Sequence, residues 1–193
     1  LTTGTIDLQT YTWSTGIFSS TGTTVRSVAF GTGKILLTGN NGTIWSMSNG
    51  TNYTATANKT VESNYAGAVG FRLIASGDNP AASVTESAAP NIVVTGSGTD
   101  KFTFQVSAAQ SRVGNLDLSG FAGPIGDSTS GNRNAPPVIF GNLTLNAASN
   151  FTNLTSATTW FFAGTGTTQT INFAGLTATN AVTFGGTAGV TLA

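Results

Sequence analysis

Phenylalanine recurs at a strict spacing of 11 residues through the last quarter of the chain. The repeated positions are Phe140, Phe151, Phe162, Phe173 and Phe184. Asn or Gly stands two positions after each of them, which supplies a turn signal in every unit. Self-similarity at a fixed period is typical of repeat proteins, in which each unit buries its apolar side only against its neighbours.

A period of 11 residues also suits a right-handed coiled coil. The local sequence argues against that alternative, because Phe-Ala-Gly, Phe-Gly-Gly and Thr-Thr segments form helices poorly and form strands and turns readily. We therefore predict an all-β chain folded as an elongated β-solenoid, similar to a parallel β-helix, with 11-residue half-coil repeats in its C-terminal part. Two units would make a coil of about 22 residues and place Phe140, Phe162 and Phe184 in one column.

Short apolar–polar alternations separated by Gly and Asn continue through the N-terminal part of the chain. The predicted strands are Thr5–Leu8, Val25–Phe30, Lys34–Leu37, Thr43–Met47, Val69–Ala75, Asn91–Thr95, Phe102–Val106 and Val113–Leu118. Alternation within a strand places Trp45 on the face opposite Ile44. The 11-residue repeat places Trp160 in the core.

The chain is predicted to be one solenoid segment of a longer polypeptide. Irregular coils occupy residues 1–119, an insertion occupies 120–137, and regular repeats occupy 138–193. The insertion is rich in Gly, Asn and Pro, and it separates two near copies, Gly-Asn-Leu-Asp-Leu at 114–118 and Gly-Asn-Leu-Thr-Leu at 141–145. We expect it to interrupt one coil and the next coil to resume in register. A second polar segment, Gly77–Pro90, is predicted to leave the coil as a loop.

Charged residues make up only 7% of the chain, against roughly a quarter in ordinary soluble domains, and the net charge is +0. This balance argues against nucleic acid or an anionic membrane as a partner. The chain has no Cys and no His, which excludes disulfides, thiolate and imidazole metal ligands, and a Ser-His-Asp triad within it. No cofactor or metal site is predicted, and no apolar run is long enough to insert across a bilayer.

Paired carboxylates can cleave glycosidic bonds, and Asp117 and Asp127 are the one pair in the chain that suits this chemistry. The sequence around them lacks the aromatic residues of a sugar cleft. We therefore interpret Asp117 as an outward strand residue and Asp127 as a turn residue, and we predict that the chain is not an enzyme. Tyr53 and Tyr65 are further candidates for contact with a ligand.

The segments Ile6–Thr12, Arg26–Ile35 and Thr38–Trp45 are short strand-like stretches punctuated by Gly, Thr and Asn. They resemble the repeated modules of long, cysteine-poor virion proteins of marine bacteriophages, in particular tail-fibre-like proteins of cyanophages. The resemblance covers residues 5–75 best and implies a rigid fibre or spike segment that meets the host surface. An extracellular bacterial adhesin, or the passenger of an autotransporter, is the alternative, because both are built on the same β-helix.

The resemblance also implies a location at the virion surface or outside the cell, and a homotrimer or another symmetric homo-oligomer. Its further partners would be other virion proteins and a host polysaccharide or receptor. Specific contacts usually lie on loops held by a rigid scaffold, so we place a candidate receptor contact in the insertion. The candidate residues are Phe121, Asp127, Asn132, Arg133 and Asn134. Arg133 can make a forked contact with a carboxylated sugar.

Overall fold

The computed structural model of the chain describes residues 1–47, 49–77, 79, 81, 83–104, 109–126, 136–151, 159–178 and 180–193. Short strands and turns make up these residues, and no α-helix occurs among them. The strands are β1 (Gly4–Asp7), β2 (Thr12–Thr15), β3 (Phe18–Ser19), β4 (Arg26–Ala29), β5 (Lys34–Leu37), β6 (Asn41–Met47), β7 (Tyr53–Thr56), β8 (Thr60–Ser63), β9 (Phe71–Ser76), β10 (Asn91–Val94), β11 (Lys101–Phe104), β12 (Arg112–Val113), β13 (Leu116–Asp117), β14 (Pro124–Ile125), β15 (Val138–Ile139), β16 (Leu143–Thr144), β17 (Asn150–Phe151), β18 (Trp160–Phe162), β19 (Gln169–Asn172), β20 (Val182–Phe184) and β21 (Val190–Leu192).

Every strand pair in the described part of the chain is parallel. The long sheet has the order β2-β5-β8-β10-β13-β16-β19-β21. Three shorter sheets have the orders β1-β4-β7, β17-β14-β11-β9-β6-β3 and β12-β15-β18-β20. Neighbouring strands of a sheet thus come from successive coils of the chain, which wind around one apolar interior. The predicted all-β solenoid is confirmed.

Coil corners join strands of different sheets, as between β4 of a short sheet and β5 of the long sheet. In β5, alternation buries Ile35 and Leu37 completely and leaves Lys34 partly exposed. The corner before it contains Gly31 at φ +57°, where a Cβ atom would lie 2.1 Å from the carbonyl oxygen of Gln9. Glycine is therefore required there both by backbone conformation and by the close approach of the preceding coil.

The phenylalanine repeat follows the predicted spacing over one coil. Phe162 pairs with Phe184 between β18 and β20, and the two rings stack with centroids 5.8 Å apart. Phe140 does not join this column, because Ile139 is the residue that pairs with Phe162. The predicted column is therefore wrong at Phe140. The coil that leads from β15 to β18 is one residue longer than the predicted 22. A register shift of one residue turns a strand side chain to the opposite face of the sheet.

The second set of repeat phenylalanines packs around a tryptophan. Phe151 and Phe173 lie with ring centroids 6.5 Å apart, and Trp160 contacts both at 5.6 and 5.5 Å. Trp160 is buried, which confirms its predicted place in the core. The prediction that Trp45 faces away from Ile44 is wrong. A β-bulge between Thr43 and Trp45 interrupts the alternation of β6, so both Ile44 and Trp45 are fully buried.

The two near copies lie in adjacent coils in matching register. Leu116 pairs with Leu143, and Asp117 pairs with Thr144, as predicted. The predicted start of the insertion is too early, because Pro124 and Ile125 form β14, which pairs with both β11 and β17. Residues 120–126 therefore belong to the solenoid coil. Residues 127–135 lie outside the described part of the chain.

Candidate functional site

The outer face of the long sheet carries a shallow polar groove over β8, β10, β13 and β16. It consists of two adjoining depressions of about 270 Å³ and about 240 Å³, which share Asn91 and Asn115 in their walls. We call this surface the asparagine groove. Its principal polar side chains are those of Lys59, Thr60, Glu86, Asn91, Asn115, Asp117, Asn142 and Thr144.

Three asparagines form a ladder along the groove, one in each of three successive coils. The backbone N–H of Asn115 donates to Oδ1 of Asn91 (2.8 Å), and the N–H of Asn142 donates to Oδ1 of Asn115 (2.7 Å). The N–H of Thr170 donates in turn to Oδ1 of Asn142 (2.8 Å). Each side-chain carbonyl is thus held by the next coil. The positions of the three amide groups are therefore determined by the backbone of the solenoid.

Glycine before two of the asparagines makes room for this ladder. A Cβ atom on Gly114 would lie 2.3 Å from Oδ1 of Asn91, and one on Gly141 would lie 2.1 Å from Oδ1 of Asn115. The aliphatic residue that follows each ladder asparagine is buried in the interior: Ile92, Leu116 and Leu143. Each residue of the Gly-Asn-Leu motif in the two near copies therefore has its own role. The glycine leaves space at the corner, the asparagine directs its amide outward, and the leucine packs in the apolar interior.

The segment 83–90, which we call the strap, borders one end of the groove. The Nζ of Lys59 donates to the backbone carbonyls of Glu86 (3.3 Å) and Ser87 (3.1 Å). The Glu86 carboxylate accepts from the N–H (3.1 Å) and the hydroxyl (2.7 Å) of Thr165. Val84 and the alanines of the strap are buried against the coils. Burial lowers the pKa of the Lys59 ammonium, and the negative charge of Glu86 acts in the opposite direction.

Further charged groups of the long sheet are held by neighbours. Oδ1 of Asp117 accepts from the N–H of Ser119 (3.0 Å). The Nζ of Lys34 lies 2.5 Å from Oε2 of Glu62, and the Thr95 hydroxyl donates to Oε1 of Glu62 (2.7 Å). Burial alone would raise the pKa of Glu62. The two hydrogen bonds and the Lys34 charge outweigh it, so the pKa of this carboxyl lies below its ordinary value.

The structure does not support Phe121 as a receptor contact. Phe121 has 0% of its surface exposed, and its ring packs beside Phe102 with centroids 5.8 Å apart. It faces the interior because residues 120–126 belong to the coil. The other candidate contacts, Asp127, Asn132, Arg133 and Asn134, lie outside the described residues, and their role stays a prediction.

The two tyrosine candidates lie on the body of the solenoid and not in the groove. Tyr53 is buried, and burial raises the pKa of its phenol. Tyr65 is half-buried, and its hydroxyl donates to the carbonyl of Val69 (3.3 Å). Asp117 lines the groove as a half-buried strand residue, whereas Asp127 lies outside the described residues. Sequence reasoning missed the asparagine ladder, although the repeated Gly-Asn-Leu motif was its signal.

The described residues contain no group of three or more His, Cys, Asp or Glu side chains that could hold a metal ion. Within the same part of the chain, no helix is long and apolar enough to cross a membrane. Comparison of the chain with protein-family models, with curated proteins and with solved structures found no match. The fold and the groove therefore carry the functional argument.

Proposed function

We propose that this chain is a rod-forming segment of a bacteriophage fibre or spike, displayed at the virion surface and directed toward the host. The observation that supports this proposal is the unbroken parallel pairing of the long sheet from β2 to β21. In such a sheet each coil is hydrogen-bonded to the coils before and after it, which makes bending costly. A stiff spacer with few charges suits a fibre that must hold a contact at a distance from the particle.

The alternative is an extracellular bacterial adhesin or autotransporter-type passenger, which would use the same stacked coils for the same mechanical purpose. Purified virions separate the two classes. Mass spectrometry of virions banded in a density gradient should detect peptides of this chain, and gold-labelled antibody against residues 1–193 should bind fibres in electron micrographs. Detection only on uninfected bacterial cells would favour the adhesin and refute the viral assignment.

A symmetric homo-oligomer, in particular a homotrimer, is part of this proposal, since tail fibres of this type associate around a common axis. Sedimentation equilibrium of the recombinant chain should give three times the 19.5 kDa mass of one copy. A single species at 19.5 kDa across the micromolar range would contradict the trimer but not the rod.

We also propose that the segment has no catalytic activity. Incubation with host surface polysaccharide should release no new reducing ends. Depolymerisation that is abolished by Asp117→Asn, and retained by the exposed control Asp7→Asn, would overturn this proposal and make Asp117 a catalytic carboxylate.

A further inference from the structure

We infer that the asparagine groove binds a linear, uncharged glycan whose sugar residues lie across successive coils. The hydrogen-bonding groups of the groove carry this inference. Among the described residues, no partner accepts from the Nδ2 groups of Asn115 and Asn142 or engages the hydroxyl groups of Thr60 and Thr144. Asn115 and Asn142 are exposed, so these amide donors are available to a ligand with many hydroxyl groups.

The spacing of these groups follows the strands. Parallel strands lie about 4.8 Å apart, and Asn115 and Asn142 directly precede β13 and β16, which are adjacent strands of the long sheet. One sugar residue of an extended glycan advances by a similar distance, so Asn115 and Asn142 can offer equivalent amides to successive sugar residues, whereas the Nδ2 of Asn91 already donates to the carbonyl of Asn58. The ladder holds the amides before any ligand arrives, and groups that are already ordered lose less entropy on binding.

An aromatic surface completes the groove. Phe140 is half-buried and lines the depression that also contains Gly141 and Asn115. Its displacement from the interior phenylalanine column leaves part of its ring in this wall. The apolar face of a sugar ring packs well against such a surface, while its hydroxyl groups reach polar neighbours.

The charges of the groove favour a neutral ligand. Asp117 is half-buried within it and would repel a carboxylated or sulfated chain. The Lys59 ammonium is the cation of the groove among the described residues, and it is already bonded to the carbonyls of Glu86 and Ser87. An acidic glycan would therefore meet the negative charges of Asp117 and Glu86 together with an ammonium two of whose donors are already engaged.

The direct test is a titration of the ¹⁵N-labelled chain with three neutral hexasaccharides, cellohexaose, mannohexaose and chitohexaose, and with hexagalacturonate as the acidic probe. At least one neutral probe should shift the backbone amide signals of Asn115, Gly141 and Asn142, and hexagalacturonate should not. Two outcomes would overturn the inference: no shift with any neutral probe at about 10 mM, well above the Kd of a weak ligand, or shifts with hexagalacturonate alone.

Two variants test the assigned groups without disturbing the ladder. Asn115→Asp keeps an oxygen that can accept from the N–H of Asn142 and removes the Nδ2 donor, and Thr144→Val removes one hydroxyl at nearly constant volume. Each should weaken binding of the neutral probe about two- to tenfold, the range expected for one lost hydrogen bond. Thr54→Val, an exposed change on β7 in a different sheet, is the matched control and should leave the Kd unchanged.

Unchanged affinity in both groove variants would place the glycan elsewhere and overturn the inference. Circular dichroism spectra that match the parent chain establish that a loss of affinity is not a loss of fold. This site does not depend on the chain being viral, since an adhesin could use it equally. If the groove binds no glycan, the proposed rod function is unaffected, and virion mass spectrometry tests that function separately.

Discussion

Arg72 and Asp100 form a two-point ion pair inside the solenoid, with Nε 2.9 Å from Oδ2 and Nη2 2.7 Å from Oδ1. Neither side chain has any exposed surface. The remaining guanidinium nitrogen donates to the hydroxyl of Ser63 (3.0 Å), and the rings of Phe102 and Phe121 lie 5.7 and 5.1 Å from Cζ. The charge is thus satisfied by hydrogen bonds and aromatic faces in a region that is otherwise apolar.

Removal of one partner of this pair should destabilise the fold strongly. Asp100→Ala leaves a buried guanidinium without its counter-ion, and we expect a loss of about 3–5 kcal/mol in the free energy of unfolding. The double variant Arg72→Met/Asp100→Leu should lose less, because no buried charge remains. Urea unfolding followed by circular dichroism measures both, with the exposed Asp7→Ala as the control. A single variant as stable as the control would contradict the pair's role.

The two stacked phenylalanines should differ in their contribution to stability. Phe162 is 1% exposed and Phe184 is 52% exposed. Phe162→Ala should cost about 3–5 kcal/mol, because it leaves a cavity in the core. Phe184→Ala should cost less than half as much, since part of its surface is already in contact with water. Thermal unfolding of the two variants side by side provides the comparison, and equal losses would refute this difference in burial.

Gly141, which precedes the ladder asparagine Asn142, should not tolerate a side chain. Gly141→Ala places a Cβ atom 2.1 Å from Oδ1 of Asn115, so the amide or the backbone must move. We expect a loss of about 1–3 kcal/mol, the usual range for overpacking. Gly166→Ala is the matched control, because a Cβ atom there meets no atom within 4 Å and the backbone needs no positive φ. If both variants unfold at the same urea concentration, the corner is more adaptable than the geometry indicates.

The Lys34–Glu62 pair should make stability depend on pH in the acid range. The pKa of Glu62 is lower in the folded chain than its ordinary value of 4.5. Its contribution is therefore complete above pH 4.5 and is lost as the pH falls through the folded-state pKa. Glu62→Gln and Lys34→Met should each flatten the loss of stability between about pH 5 and pH 3, by less than about 1 kcal/mol for a pair at the surface. Parallel pH profiles of variant and parent chain would show that the pair contributes nothing.

Most strand positions could be predicted from the local sequence pattern. Strand residues such as Ile35 and Leu37 alternate with polar neighbours, and Gly and Asn separate the strands, so strand positions follow from short-range preferences. The repeated Gly-Asn-Leu motif correctly predicted that Leu116 and Leu143 occupy equivalent places in adjacent coils. The groove built on that motif was not predicted, because the amide of Asn115 acquires its partner only when the next coil stacks on it.

By itself, the sequence determined the class of fold, because periodic apolar positions and frequent turn residues admit stacked strands and little else. Tertiary structure alone decided the register. Successive coils differ in length, from 21 residues between Ile171 and Leu192 to 31 between Val61 and Ile92. A difference of one residue is enough to replace Phe140 by Ile139 opposite Phe162. The side-chain direction of a strand reverses at every residue, so only the packed neighbour of each coil determines which side chains are buried and which face the groove.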